Sequence, residues 1–145
     1  VGHLIENPMP RNAYYFHKEQ LEMDSIRPQG SYTYLNHVVL LVNGVSFSAS
    51  EITTEIMKQI EQVTVIGDTT GGGSLGFLNK NANGDFRLPS GKLFHIGNLD
   101  VRKYDGLPFE TVGVIPDMLV PQTEADIQSG HDLQLEYAIE YLKTR

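Results

Sequence analysis

The sequence predicts an α/β fold, and three observations carry that expectation. Val38 to Val42 is a continuous apolar run rich in β-branched residues, short enough to be a strand buried on both faces. After a stop at Asn43-Gly44, residues Ala49, Ile52, Ile56 and Ile60 fall at the three-and-four spacing of one helical face, with polar residues between them. Gln62 to Gly67 is a second short apolar strand. A strand, helix, strand succession of this kind closes by a right-handed parallel crossover.

Composition sets the bounds. The chain has 145 residues, the size of one domain, and 40% apolar residues suffice for an ordinary core. No apolar run approaches the ~20 residues that a membrane-spanning helix needs. The net charge of −7, with no cluster of lysine or arginine, argues against nucleic acid as a partner, since phosphate binding needs a basic face. Without cysteine there is neither a disulfide framework nor a thiolate metal site. The chain opens Val1-Gly2-His3 with no initiator methionine, charged leader or apolar signal core, and reads as a piece of a longer protein.

Taken in order, Leu4-Ile5 belong to an element that Asn7-Pro8-Met9-Pro10 ends. Tyr14-Tyr15-Phe16 is aromatic enough for a short strand, followed by His17. Lys18 to Gly30 reads as a polar, exposed connection with at most a helical turn, and Ser31 to Leu35 could extend toward the central strand. Beyond Gly67, the run Gly71-Gly72-Gly73-Ser74-Leu75-Gly76 formally contains G-x-G-x-x-G. A dinucleotide site needs a helix directly after those glycines, and Asn79 to Asp85 is turn-rich instead, so no cofactor is expected. Phe86–Pro89 and Leu93–Val101 read as strands of a hairpin turning at Ser90-Gly91. Tyr104 to Pro108 is a loop that leads into Glu110–Asp117. A C-terminal helix follows, with Asp132 as N-cap and Leu135, Ala138, Ile139 and Leu142 as its buried stripe.

The turn after the central strand leaves Ser46, Phe47 and Ser48 at the start of a helix, where unpaired N–H groups and a partial positive charge gather. A serine there sits beside donors able to hold a developing oxyanion. The same residues also spell a capping box, with Ser48 and Glu51 as its S-x-x-E. On spacing alone the cap is the better reading, because most serines at helix starts are caps.

The run Val-Val-Leu-Leu-Val-Asn-Gly-Val-Ser-Phe-Ser-Ala-Ser-Glu-Ile, residues 38–52, changes that balance. It resembles the nucleophile segment of the carboxy-terminal processing (tail-specific) serine proteases, the family that also includes the tricorn proteases. The resemblance continues through Thr64–Gly73, Gly113-Val114-Ile115-Pro116-Asp117 and Gly130–Ala138. It implies an α/β fold of the Clp protease/crotonase type, here an incomplete catalytic domain, with residues 37–145 its C-terminal part and residues 1–36 a connecting segment. It implies Ser48 as nucleophile and the Ala49 amide as one oxyanion donor. The second donor would come from an upstream D-x-R-x-N-x-G-G-G motif that this sequence lacks.

The sequence also departs from that family. The lysine that the tail-specific branch places in a glycine-flanked loop falls on position 73, which is Gly73, and neither Lys80 nor Lys92 is a natural replacement. Lys58 reads as a surface charge on the helix. The tricorn branch uses an upstream histidine as base and a glutamate shortly before the G-V-x-P-D block, a placement that Glu110 resembles; Glu110 equally suits a solvated strand edge. His3, His17, His37, His95 and His131 are scattered without metal-ligand spacing, and His37 and Ser48 flank opposite ends of one strand. The expectation is a serine-type peptidase domain acting on peptide or protein, with Ser48 and Glu110 catalytic, a histidine base upstream and the isolated fragment inactive. Upstream domains of the same protein would be its other partners. The rival is a non-catalytic ligand- or peptide-binding domain, similar to the retinoid-binding repeats of the same fold. An extracytoplasmic location is implied by the family resemblance alone.

Overall fold

Two antiparallel strands open the chain. The computed structural model describes residues 1–17, 20–73, 85–95 and 100–145. A 3-10 turn at Gly2–Leu4 leads into β1 (Met9–His17) and β2 (Gln20–Ile26). They pair antiparallel from Met9 opposite Ile26 to His17 opposite Gln20, with a register shift between Arg11 and Tyr14. The strand expected at Tyr14–Phe16 is therefore longer, and much of the expected polar connection over Lys18–Gly30 is strand instead. Leu21 and Met23 alternate with Glu22 and Asp24, a period of two that the charge content masks. Ser31–Leu35 forms no strand.

The central unit follows the hydrophobic pattern closely. It comprises β3 (Val38–Val42), α1 (Ala49–Met57) and β4 (Val63–Gly67), with β3 and β4 parallel from Val38 opposite Val63 to Val42 opposite Gly67. The helix stops before Ile60, which is nonetheless buried. Gly67 ends β4 at φ 138°, where a Cβ would stand 1.9 Å from the Val42 carbonyl oxygen, so a side chain has no room.

A hairpin of β5 (Asp85–Arg87) and β6 (Leu93–His95) turns through Gly91, whose N–H donates to the Leu88 carbonyl at 2.8 Å. The expected second strand, Leu93–Val101, is described only at its two ends. Residues 96–99 lie outside the described residues, and β7 (Asp100–Arg102) joins β1 to give the order β2-β1-β7. The short β8 (Met118–Leu119) extends the parallel sheet as β3-β4-β8.

Two helices close the chain, α2 (Glu124–Ser129) and α3 (Leu133–Lys143). Asp132 caps α3 as expected, its Oδ1 accepting from the Leu135 amide at 2.9 Å. Of the expected buried stripe Ala138 is buried, while Leu135, Ile139 and Leu142 are corrected, being 46%, 46% and 40% exposed. Beside Ala138 the helix docks through Gln134 and Tyr141 instead. Gln134 Nε2 donates to the Val120 carbonyl at 3.0 Å, and the Tyr141 hydroxyl lies 3.1 Å from Thr64 Oγ1. Those two polar anchors turn the helix so that a neighbouring row faces the sheet.

Two apolar clusters form the core. One gathers Val101, Phe109 and Val114 with Ile52; the other gathers Ile5, Met57, Ile60 and Val63 under Leu4, Met9, Ile26, Val38 and Leu40. Ile52 and Met57 belong to α1, so one helix joins both clusters and is fixed between them. Among the described residues no helix is long and apolar enough to cross a membrane.

Candidate active site

The site begins where β3 stops. The Asn43 side chain accepts from the Val45 amide at 3.1 Å, and its carbonyl accepts from Ser46 N–H at 2.9 Å, an Asx-type turn that reverses the chain. Ser46 Oγ accepts from the Asn43 amide at 3.3 Å and so belongs to that turn. Two residues later the backbone of Ser48 adopts φ 55° and ψ −116°, a conformation that non-glycine residues rarely hold. Helix α1 starts immediately after it.

Ser48 is exposed. Its side chain faces the Glu51 amide while Glu51 reaches back to the Ser48 N–H, so both halves of a capping box are present, and Glu51 N–H also donates to the Ser48 carbonyl at 2.9 Å. Among the described residues no acceptor engages the Ala49 amide at the helix N-terminus. An exposed hydroxyl therefore stands beside a free N–H.

Glu51 supplies what the sequence did not disclose. It has no exposed surface, and its carboxylate reaches into the glycine loop. Oε1 accepts from Thr70 Oγ1 at 2.6 Å and from Gly72 N–H at 2.8 Å. Oε2 accepts from Gly73 N–H at 2.9 Å and from Ser48 N–H at 3.1 Å. Ser48 N–H also donates to the Gly73 carbonyl at 2.9 Å. A buried carboxylate has acceptors only, and here several donors meet it.

The glycine loop is a packing device. A Cβ on Gly71 would lie 2.1 Å from the Phe47 ring, and one on Gly73 would lie 3.0 Å from it. Gly72, at φ 72°, faces the turn Phe109–Gly113, where its carbonyl accepts from Thr111 N–H at 2.8 Å. That turn carries Glu110. It is held from the other side by Lys103, buried, whose Nζ donates to the Gly113 carbonyl at 2.8 Å and lies 5.7 Å from the centre of the Phe109 ring. Thr111 sits at φ 63°, the second non-glycine residue with a left-handed backbone among the described residues.

The structure thus relates Ser48, Ala49 and half-buried Glu110 through one loop: Ser48 bonds to Gly73, and Glu110's neighbour Thr111 bonds to Gly72. Lys58 is corrected from a free surface charge, because its Nζ donates to the Ile115 carbonyl at 2.6 Å and pairs with Asp117 Oδ1 at 2.9 Å. Lys92 lies beside the hairpin turn, and Lys80 lies outside the described residues. His3 stacks on Tyr32, His131 contacts Glu136 at 3.2 Å, and His37 precedes β3 at the end away from Ser48. Nothing is described for the side chains of His17 and His95. Among the described residues no group of three potential ligands could hold a metal ion.

An open depression of about 330 Å³ adjoins the helix start, lined by Leu40, Leu41, Val42, Ser46, Ala49, Ser50, Thr53 and Thr54. Along one side of it runs β3, an edge strand of its sheet among the described residues.

Comparison with known proteins bears on the fold and the family. A solved structure from Parabacteroides merdae, described as a candidate peptidase, matches 97% of the chain and 45% of its own length at a TM-score of 0.80 and 28% identity. The tricorn protease matches 97% of the chain and 13% of its own length, with a TM-score of 0.64 and 22% identity. The photosystem II D1 C-terminal processing protease matches 83% of the chain and 29% of its own length, with a TM-score of 0.60 and 18% identity. The chain thus spans less than half the length of each of these structures. No curated protein matches it. The sequence profile of Peptidase family S41 matches residues 6–120, and with a mixed α/β fold shared with solved members, the chain belongs to peptidase family S41.

Proposed function

We propose that the chain is the nucleophile-bearing part of a serine peptidase domain of the Clp protease/crotonase type, with residues 37–145 in its C-terminal part and residues 1–36 leading into it. Ser48 Oγ attacks the scissile carbonyl carbon while its proton passes to a base. The carbonyl electrons move onto oxygen, held by the Ala49 amide, and collapse expels the amine, which takes the proton back from the base. Because Gly73 occupies the position of the dyad lysine, the base in this reading is a histidine outside residues 1–145, with Glu110 supporting it as in the tricorn branch.

The observation that carries this reading is the backbone of Ser48. A serine that only capped its helix would sit in ordinary extended dihedrals; this one, though its side chain faces the N3 amide, is exposed at φ 55° beside an N–H that no acceptor engages among the described residues. The open edge of β3 and the adjoining depression support a peptide substrate entering as an added strand. An extracytoplasmic location is part of the proposal.

Labelling the full-length protein with a fluorophosphonate, followed by mapping of the adduct, tests it. Modification at Ser48 that Ser48→Ala abolishes is the expected result. A folded protein without adduct would overturn it in favour of the ligand- or peptide-binding domain, which Gly73 also suits.

A further inference from the structure

The geometry points to Glu51 as the positioning residue that holds the backbone of Ser48 at positive φ against the glycine loop, an inference that rests on Ser48 being the nucleophile. In an ordinary capping box the serine oxygen accepts the N3 amide while the glutamate reaches back to the serine N–H. Here both halves of the box are in place, yet Ser48 does not hold the extended dihedrals of an ordinary cap. The difference lies in where else the carboxylate is held. Thr70 Oγ1, Gly72 N–H and Gly73 N–H anchor it in the glycine loop, so the Ser48 N–H that it accepts is drawn toward that loop rather than along the helix axis.

The loop itself cannot yield. Gly72 is wedged against Thr111 and Gly113, and Gly73 against Phe47, each with a Cβ position about 3.0 Å from those atoms. Thr70 Oγ1, besides donating to Glu51, accepts from Val114 N–H at 2.7 Å. A rare backbone conformation persists only where its surroundings over-determine it, and these bonds are the surroundings of Ser48.

Acceptor capacity is the property this requires. Glutamine at position 51 would turn one carboxylate oxygen into a donor, and in either orientation two of these donor groups lose their bond to residue 51: Thr70 O–H with Gly72 N–H, or Gly73 N–H with Ser48 N–H, the last keeping only the Gly73 carbonyl. Ser48 is then released toward extended dihedrals.

In the full-length protein, Glu51→Gln is expected to lower the rate constant for fluorophosphonate modification of Ser48 about 100-fold, the scale of a small misplacement of a reacting group. The apparent binding constant for the reagent and the final extent of labelling per folded molecule stay the same. A crystal structure of the variant is expected to show Ser48 at negative φ. If Glu51→Gln does not fold, Thr70→Val removes one donor and is expected to slow labelling about tenfold. An unchanged rate constant overturns the inference, whether melting temperature falls or not. If the parent protein itself forms no Ser48 adduct, the peptidase reading fails instead, and the φ of Ser48 in the variant alone decides whether Glu51 sets that backbone.

Discussion

Positive φ brings a side chain against its own backbone, and Ser48 and Thr111 both hold that posture against one glycine loop. The cost is on the order of 1–3 kcal/mol per residue. Ser48→Gly is therefore expected to stabilise the fold by about 1 kcal/mol, read as a higher melting temperature, while removing the nucleophile. A drop in stability would mean the conformation is unstrained. A second residue-level effect concerns Glu55 on α1. Burial raises its carboxyl above the ordinary glutamate range, and Lys103 pulls it partly back. The folded chain thus holds that proton more tightly than the unfolded chain, so ionisation of Glu55 weakens folding as pH rises through its raised value. Glu55→Gln should melt above the parent at about pH 8 and lose that advantage toward about pH 4; an advantage that grows toward acid would contradict the assignment.

Among the elements, the G-V-I-P-D block shows how a motif can be structural. Asp117 Oδ2 accepts from Val65 N–H at 2.8 Å, Oδ1 pairs with Lys58 at 2.9 Å, and its own N–H donates to the Val65 carbonyl at 2.8 Å. It fastens the end of α1 to the middle strand of the parallel sheet. Asp117→Ala should cost about 2 kcal/mol in denaturant unfolding, because it leaves the Val65 amide without its acceptor; a change below about 0.5 kcal/mol would show the contact to be incidental. The central unit was legible because β3 and β4 are uninterrupted apolar runs and α1 needs a three-and-four stripe, although only β4 is largely buried; the expected burial of β3 on both faces is not met, Leu41 being 36% exposed on an edge strand. β2 was not, since Glu22 and Asp24 interleave its apolar residues and dilute the pattern with charge. The face of α3 was not, since Gln134 and Tyr141 dock by hydrogen bonds that hydropathy does not record. At the site, the place of Ser48 at a helix start spoke for a cap, and it was the family resemblance that singled out Ser48 and Ala49. The wider reach of Glu51 had no local signal, because its partners at Thr70, Gly72 and Gly73 lie across a strand and a turn.

For the molecule as a whole, α1 binds two apolar clusters together, so damage to either core reaches the helix that presents Ser48. The pairing of β1 with β7 reaches further than either core. Tyr14 meets Arg102 and Phe16 meets Asp100, so the beginning of the chain finds its mate only after most of the remainder has been placed. Searching for so distant a mate is slow, because the entropy of closing the intervening loop must be met before the contact gives anything back. Refolding from denaturant, followed by stopped-flow fluorescence of the tyrosines, should accordingly take milliseconds to seconds. A microsecond phase carrying the full amplitude would mean that those ends come together early, and that the order of assembly runs opposite to the order of synthesis.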